Sequence, residues 1–229
     1  QSTSMNTSRW EHTATVLPSG DVLVVGGENS SGRLSSAELF KNDTKQWVML
    51  KDLSYPRARH IAVLLSDNRV LVAGGGSKTA EIYDTRVDTW TSIGETSQNL
   101  NLSAASGLPD GKAIIVGGYG AQGALHQVEI YSPEFDTWNM GPKISKPRVR
   151  SSLVNLDKNS ILLAGGNQYT HSWIFDINTL TWTKAAKMLT ARTGQAATQL
   201  KDGEVLVSGG ENRKGRMESS SEVYRAEHE

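Results

Sequence analysis

The sequence predicts an all-β fold that repeats one antiparallel four-stranded sheet five times, and three observations support this prediction. Five Gly pairs each close a short apolar run, and they begin at Gly26, Gly74, Gly117, Gly165 and Gly209. An aromatic residue follows each pair, and in four repeats a Trp stands seven residues after that aromatic. A position that is usually Arg precedes each Gly pair by 17 residues. Repetition of this kind indicates an array of identical supersecondary units.

The fixed and variable spacings assign four strands, a to d, to each repeat. Strand a is the segment near residues 60–64 in the second repeat. A turn such as Pro18-Ser19-Gly20-Asp21 in the first repeat leads into the apolar strand b. Strand c carries an acidic-x-aromatic pattern, and strand d carries the Trp. The acidic position of strand c is occupied by Glu38, Glu81, Glu129, Trp173 and Glu222 in the five repeats. Fixed spacings indicate paired strands, whereas the variable spacing between the Gly pair and strand c indicates a loop.

Strand b is apolar at nearly every position, so both of its faces should be covered. One such sheet cannot bury both faces alone, whereas radial stacking of the copies does so. The Gly pairs supply backbone freedom where neighbouring sheets crowd together. The sequence therefore predicts that the five sheets stack radially.

Composition excludes several classes of function. The 229 residues contain 24 basic and 24 acidic side chains, which argues against a broad electrostatic grip on nucleic acid or an anionic membrane. The absence of Cys excludes disulfides, a thiolate nucleophile and cysteine-ligated zinc. No apolar run is long enough for a membrane-spanning helix.

Four short motifs recur in the repeats: Arg-x-x-His, completed by His12 and His60, the Gly pair, Glu-x-Tyr-Asp, and Asp-Thr-Trp at Trp90 and Trp138. Together these motifs resemble the kelch repeat. The tidy repeats, with Leu-Pro-x-Gly hairpins, look similar to bacterial-type kelch sequences. The resemblance covers nearly the whole chain and implies a kelch β-propeller of four-stranded antiparallel blades around a central channel. It also implies recognition of peptides or proteins, since family members bind acidic peptides on the loop face.

Five Gly pairs predict five blades in one domain over residues 1–229. The repeats span roughly 9–56, 57–99, 100–147, 148–191 and 192–229, with residues 1–8 completing the last blade. On this interpretation the segment 1–5 lies beside 222–224 and closes the ring. The alternative is that the chain forms part of a propeller with six or seven blades.

Candidate ligand-binding residues lie in the d-to-a and b-to-c connections, which a propeller presents on one face. Arg offers a planar fork of donors for carboxylates, and Trp and Tyr supply contact area. The alternative is structural, with each Arg capping carbonyls or pairing with a neighbouring blade. On the binding hypothesis, Arg57→Ala or Arg148→Ala weakens binding with little loss of stability. The twelve candidates are Arg9, Trp10, Asn29, Arg57, Arg59, Tyr119, Arg148, Arg150, Asn167, Tyr169, Arg192 and Asn212.

These observations favour a non-catalytic scaffold that binds a protein or peptide, acidic partners included, without a cofactor or metal. No nucleophile elbow or closely spaced pair of His ligands occurs. A carbohydrate-binding propeller and a glycoside-active enzyme are the alternatives. A glycan ligand therefore remains open at this point, and nucleic acid and membrane insertion are not expected. Four Asn-x-Ser/Thr sequons permit a secreted location, and the lack of Cys fits a secreted, a cell-surface or a cytosolic protein. A secreted or cell-surface location is slightly favoured over a cytoplasmic one.

Overall fold

The computed structural model describes residues 3–225, and these residues form strands and no helix. The fold class predicted from the repeats is confirmed: the chain is an all-β protein of the β-propeller class, with five blade sheets. Four blades have four antiparallel strands, and the fifth has three strands within residues 3–225. Over the same residues, no helix suited to crossing a membrane is found.

Contacts divide the described chain into two compact units. The first comprises residues 3–102, 111–113 and 131–138, and the second comprises 103–110, 114–130 and 139–225. Blades one and two belong to the first unit, and blades four and five belong to the second.

Blades one and two show the predicted strand sequence. The first blade has the order β1-β2-β5-β6 and the second has the order β7-β8-β9-β10, while β3 and β4 form a separate two-stranded ribbon. The strands are β1 (Thr13–Val16), β2 (Val22–Val25), β3 (Glu28–Asn29), β4 (Gly32–Arg33), β5 (Ala37–Lys41), β6 (Gln46–Met49), β7 (Ile61–Leu64), β8 (Val70–Ala73), β9 (Ala80–Asp84) and β10 (Thr89–Ile93).

The remaining blades repeat this plan. Their orders are β11-β12-β15-β16, β17-β18-β19-β20 and β21-β22-β23, with a second ribbon formed by β13 and β14. The strands are β11 (Ala104–Gly107), β12 (Ala113–Val116), β13 (Tyr119–Gly120), β14 (Gly123–Ala124), β15 (Val128–Ser132), β16 (Thr137–Met140), β17 (Ser152–Asn155), β18 (Ser160–Ala164), β19 (Trp173–Asp176), β20 (Thr181–Lys184), β21 (Ala196–Gln199), β22 (Val205–Ser208) and β23 (Ser221–Tyr224).

The two ribbons differ from the sequence prediction, which treated the b-to-c connections as loops. In blade one, Glu28 pairs with Arg33 and Asn29 with Gly32. Gly32 has a φ of 115°, a conformation that side chains other than Gly rarely adopt, and this permits the tight reversal. The longer connections can therefore form a short hairpin beyond the sheet.

The constant spacing of seven residues reflects cross-strand pairing. Phe40 lies directly opposite Trp47, Tyr83 opposite Trp90, and Phe175 opposite Trp182. Their ring centroids are 4.9 to 5.3 Å apart and the rings are tilted. Each pair locks the register of strands c and d.

Strand b lies at the centre of each core. All four residues of β8 and of β12 are buried, as the continuous apolar runs predict. In the first unit, Leu23 and Val25 of β2 pack in one cluster with Val70 and Val72 of β8. In the second unit, β18 contributes Leu162 to a cluster that includes Val205 and Val207 of β22. Neighbouring blades within a unit therefore cover each other's apolar faces.

In the first four repeats, the first Gly of the pair lies against the next repeat. A Cβ on Gly26 would stand 2.5 Å from the carbonyl oxygen of Arg57, and one on Gly165 would stand 2.9 Å from that of Arg192. Both glycines also have positive φ values. The crowding that the Gly pairs predicted is thus present at these contacts.

The N-terminal segment contacts the first blade. Thr3 accepts a hydrogen bond from the indole N–H of Trp47, and Asn6 and Thr7 donate to Glu38. Residues 1–2 and 226–229 lie outside the described residues. Pairing of the segment 1–5 with residues 222–224, and completion of the last blade by residues 1–8, therefore stay predictions.

His60 gives the fold a specific sensitivity to acid. It is buried, and its Nε2 is 2.8 Å from Oγ1 of Thr13. Burial, with the nearby charges of Arg57 and His12, lowers its pKa from 6.5 to about 3. The unfolded chain therefore takes up a proton below pH 6.5 while the folded chain does not, so this site makes stability fall between pH 6.5 and 3.

Replacing His60 with Gln should remove this loss of stability at acid pH. Gln195 occupies the same repeat position and donates to the carbonyl of Ala164, so the substitution suits this site. Between pH 7 and 4, the wild type should lose about 3 kcal/mol more than His60→Gln in urea unfolding. The exposed His126, replaced by Gln, should behave as wild type. Equal pH profiles for wild type and His60→Gln would contradict this assignment.

Candidate ligand-binding site

The repeated Arg residues form one buried motif. Arg57 donates through Nη1 to the carbonyls of Gly74 and Thr79, and through Nη2 to Thr79 Oγ1 and Glu81. The distances are 2.8 to 2.9 Å, and both charged side chains are at most 1% exposed. The same pattern joins Arg9 to Gly26, Ser36 and Glu38, and joins Arg192 to Gly209, Ser220 and Glu222.

This motif explains why 17 residues separate the Arg from the Gly pair. The guanidinium caps the carbonyl of the first Gly and reaches the start of strand c. Arg9, Arg57 and Arg192 agree with the structural alternative, in which the repeated Arg residues cap carbonyls. A binding role for these three stays a prediction.

The Glu of the motif also binds backbone N–H groups of the preceding connection. Glu38 accepts from the N–H groups of Asn6 and Thr7, and Glu81 accepts from Ser54. Glu222 accepts from Leu189 and Thr190. These donors stand two or three residues before the repeated Arg. Each carboxylate is therefore held by a guanidinium and by main-chain donors.

The fourth blade keeps the Arg and loses its acceptors. Trp173 pairs with Leu163, the register at which Glu81 pairs with Val72 and Glu222 with Val207. His171 stands where the other blades carry Ser36, Thr79 and Ser220. Both side-chain acceptors of the motif are thus replaced in this blade.

Arg148 is consequently a buried cation without a carboxylate among residues 3–225. Its exposure is 1%, and Nη1 donates to the carbonyl of Gly165 at 3.0 Å. Its Nε has no hydrogen-bond partner in the described chain, as is also true of Arg9 and Arg57, and the guanidinium lies 4.7 Å from the ring centroid of Tyr169. Burial lowers the pKa of Arg148 to about 10, against a smaller opposing effect of Tyr169. A buried cation of this kind is stabilised by an incoming anion.

A cavity of about 330 Å³ lies beside Arg148. Its wall consists of Ser145, Lys146, Arg148, His171, Trp173, Lys184 and Lys187, and we call it the cationic pocket. Ser145 and Lys146 hold the positions whose N–H groups bind Glu222 and Glu38 in the other blades. Burial lowers the pKa of His171, and the charges of Lys187, Arg148, Lys146 and Lys184 lower it further. The pocket therefore has a strongly positive potential and suits a carboxylate.

The structure brings the predicted residues Arg148, Tyr169 and Arg192 together. Arg148 stacks on Tyr169, and Tyr169 forms an isolated β-bridge with Arg192. Asn167 lies next to this group and donates its N–H to the carbonyl of Val149. The site of interest in the second unit is thus centred on Arg148 and Tyr169.

The other predicted residues lie apart from the cationic pocket. In the first unit, Trp10 is 50% exposed and bridges to Glu28, Asn29 caps Ser31, and Arg59 lies 3.6 Å from Glu11 on the surface. In the second unit, Tyr119 and Arg150 are exposed, and Asn212 donates to Glu218. Their ligand-binding roles stay predictions.

Sequence reasoning missed six residues of the pocket, namely Ser145, Lys146, His171, Trp173, Lys184 and Lys187. The departure of Trp173 from the repeated Glu was visible in the sequence. The resulting loss of a carboxylate beside Arg148 could not be predicted, because only the hydrogen bonds of the structure show that the repeated Glu binds the repeated Arg.

Comparison with known proteins agrees with this architecture. A model of the KLHDC2/KLHL20/DRC7 Kelch-repeats domain matches residues 11–210. Kelch-like protein 36 of Rattus norvegicus is 27% identical over 216 residues, which cover 86% of this chain and 35% of that protein. Kelch repeat-containing protein kel-10 of Caenorhabditis elegans is 28% identical over 138 residues, covering 56% of this chain and 23% of its own length.

A plant protein is similar over most of this chain. Acyl-CoA-binding domain-containing protein 4 of Arabidopsis thaliana is 24% identical over 248 residues, which cover 93% of this chain and 36% of that protein. The chain thus spans about a quarter to a third of the length of these curated relatives.

Fold, motif and comparisons define a class of kelch-repeat propeller proteins. The chain belongs to the kelch-repeat family. The carbohydrate alternative finds no support in the comparisons.

Proposed function

We propose that this protein is a non-catalytic binding scaffold whose cationic pocket recognises an acidic side chain of a protein or peptide ligand. The observation that carries the proposal is the fourth-blade motif, in which Arg148 remains while Trp173 replaces the Glu. The kelch-like relatives support the wider class of a protein-binding scaffold.

The proposal follows from the way in which the other blades of this chain bind their own Glu carboxylates. Glu222 meets the guanidinium of Arg192 at 3.1 Å and two main-chain N–H groups. The fourth blade offers the equivalent guanidinium and the equivalent connection. A Glu or Asp from the ligand would accept from Arg148 and from the N–H groups of Ser145 and Lys146. Charge-assisted hydrogen bonds to a planar guanidinium give such a site both affinity and orientation.

The lysines extend the attraction beyond one carboxylate. Lys184 and Lys187 rim the pocket and are exposed, while Lys146 lies 5.4 Å from the ring centroid of Tyr169. Exposed charges steer an anionic partner, and their contribution is screened by salt. We therefore expect an acidic ligand whose affinity falls as ionic strength rises.

Peptide binding tests this function. A fluorescein-labelled Gly-Asp-Glu-Asp-Glu-Gly peptide should bind, whereas its Asn/Gln counterpart should not. Lys187→Glu should weaken binding about tenfold, because it reverses a charge at the rim. Lys158→Glu makes the same charge change in the turn between β17 and β18, away from the pocket, and should have little effect. Fluorescence anisotropy measures both affinities.

Two results would contradict the proposal. One is equal binding of the acidic and the amide peptides. The other is an equal loss of affinity in Lys187→Glu and Lys158→Glu, which would show that the net charge of the protein, and not the cationic pocket, attracts the peptide.

A further inference from the structure

The buried Arg of the fourth blade makes fewer hydrogen bonds than its counterparts. Through Nη1 and Nη2, Arg57 makes four hydrogen bonds to the start of its strand c and to Gly74, and Arg9 and Arg192 repeat all four. Among the described residues, Arg148 makes one, from Nη1 to the carbonyl of Gly165. Since each Nη carries two N–H groups, three donors of Arg148 are left for a ligand.

The third blade shows how this chain compensates for the opposite loss. Leu100 stands at the Arg position there, and Glu129 stays buried. Gln127, at the position of Thr79, donates to Glu129 at 2.7 Å, so a neighbouring side chain replaces part of the missing Arg. In the fourth blade that position is His171, and none of the seven residues that line the cationic pocket is acidic. The pocket wall therefore does not replace the missing carboxylate.

The cationic pocket carries more positive charge than one carboxylate neutralises. Arg9 and Arg57 each pair with a single Glu. Arg148 shares its cavity with three further cations, Lys146, Lys184 and Lys187. Like charges held together raise the local potential, and a ligand group with two negative charges lowers it more than a group with one.

A phosphoryl group matches this donor set. It carries a charge of about −1.5 to −2 at neutral pH and has three strong acceptor oxygens, whereas a carboxylate has two oxygens and one charge. Arg148 is buried and the three lysines are exposed, so donors are available both inside the cavity and at its mouth. The cavity of about 330 Å³ has room for the group. Planar guanidinium groups bind phosphate through two parallel hydrogen bonds.

We propose that the cationic pocket selects a phosphorylated Ser or Thr of its protein or peptide ligand over an unmodified Asp or Glu. This inference rests on the proposed function and narrows its ligand class. The phosphoryl oxygens accept from Nη1 and Nη2 of Arg148, and the three lysines neutralise the remaining charge. Phosphorylation of the partner therefore strengthens its binding to this propeller.

Two peptides of equal net charge test the selectivity. Fluorescein-labelled Gly-Asp-Glu-phosphoserine-Glu-Gly and Asp-Asp-Glu-Asp-Glu-Gly are titrated at pH 7.5 into the chain of residues 1–229, with fluorescence anisotropy as the readout. We expect the phosphopeptide to bind about tenfold more tightly, because the net charges match and only the phosphoryl group differs in geometry. Inorganic phosphate should compete much more weakly than the phosphopeptide, since it lacks the flanking acidic residues.

A substitution at the rim connects this preference to the pocket. Lys184→Gln should weaken the phosphopeptide about fivefold and the charge-matched carboxylate peptide about twofold. Lys158→Gln removes the same charge away from the pocket and should change neither affinity. Phosphorus nuclear magnetic resonance adds a readout on the ligand itself. The second pKa of the bound phosphoserine should lie about one unit below that of the free peptide, because the surrounding cations favour the dianion.

The possible results separate this inference from the proposed function. Equal affinities of the two anionic peptides, both above that of the Asn/Gln peptide, would overturn phosphate selection and leave carboxylate recognition in place. Affinities equal to that of the Asn/Gln peptide would overturn both. Inorganic phosphate that competes as strongly as the phosphopeptide would identify a free anion as the ligand and overturn the inference. An unchanged second pKa on binding would also overturn it, because the phosphoryl group would then lie outside the pocket.

Discussion

Replacing Arg57 with Ala should lower the free energy of unfolding by about 3–5 kcal/mol, because the change leaves Glu81 buried without its cation. Arg57 is fully buried and makes four hydrogen bonds that tie the connection before strand a to the start of strand c. The sequence alone suggested that Arg57→Ala would weaken binding at nearly constant stability. The buried ion pair leads to the opposite expectation.

Urea unfolding at neutral pH measures this effect, and two variants provide controls. Arg59 is exposed and 3.6 Å from Glu11, so Arg59→Ala should cost less than about 1 kcal/mol. The double variant Arg57→Ala, Glu81→Gln should recover part of the loss, since no buried charge is then left alone. A loss below about 1 kcal/mol for Arg57→Ala would show that the motif does not stabilise the fold.

Replacing Trp173 with Glu should abolish most binding of the acidic peptide. The new carboxylate stands at the register of Glu81 and Glu222 and should bind Arg148. It would then occupy the donors that the ligand requires. We expect a loss of about a hundredfold in affinity, or roughly 2–3 kcal/mol.

Trp173→Gln is the matched control for this substitution. It also removes the indole, but it adds no negative charge. Most of the affinity should therefore persist in Trp173→Gln, as measured by the same anisotropy titration. An equal loss of affinity in both variants would show that the ligand binds the indole of Trp173. Wild-type affinity in Trp173→Glu would show that the ligand does not bind Arg148.

The repeat spacings explain why so much of the fold could be predicted. Seven residues between Tyr83 and Trp90 correspond to direct cross-strand partners, and a buried face permits only one register. Likewise, the run Val70–Ala73 is buried on both sides, as its uninterrupted apolar character implies. Local sequence and global packing agree at these positions.

The candidate site was less predictable because its chemistry depends on a departure from the repeat. Arg57 and Arg148 occupy the same repeat position, yet one is paired with Glu81 and the other has no such partner among the described residues. Lys184 and Lys187 are far from Arg148 in the sequence and belong to no repeated motif, so only the fold brings them close to it. Trp10 and Tyr119 are candidates because their aromatic side chains supply contact area. Both are exposed, and their contribution to binding remains a prediction.

The most direct test of the cationic pocket follows the amides of Ser145 and Lys146 by ¹⁵N nuclear magnetic resonance during titration with the acidic peptide. If the ligand carboxylate occupies the position that Glu222 and Glu38 hold in their blades, both amide protons should shift downfield, together with the Nη2–H signal of Arg148, because Arg9 and Arg192 bind their Glu through Nη2. Binding that leaves these three signals unchanged while others move would contradict the account, because the ligand would then be held elsewhere.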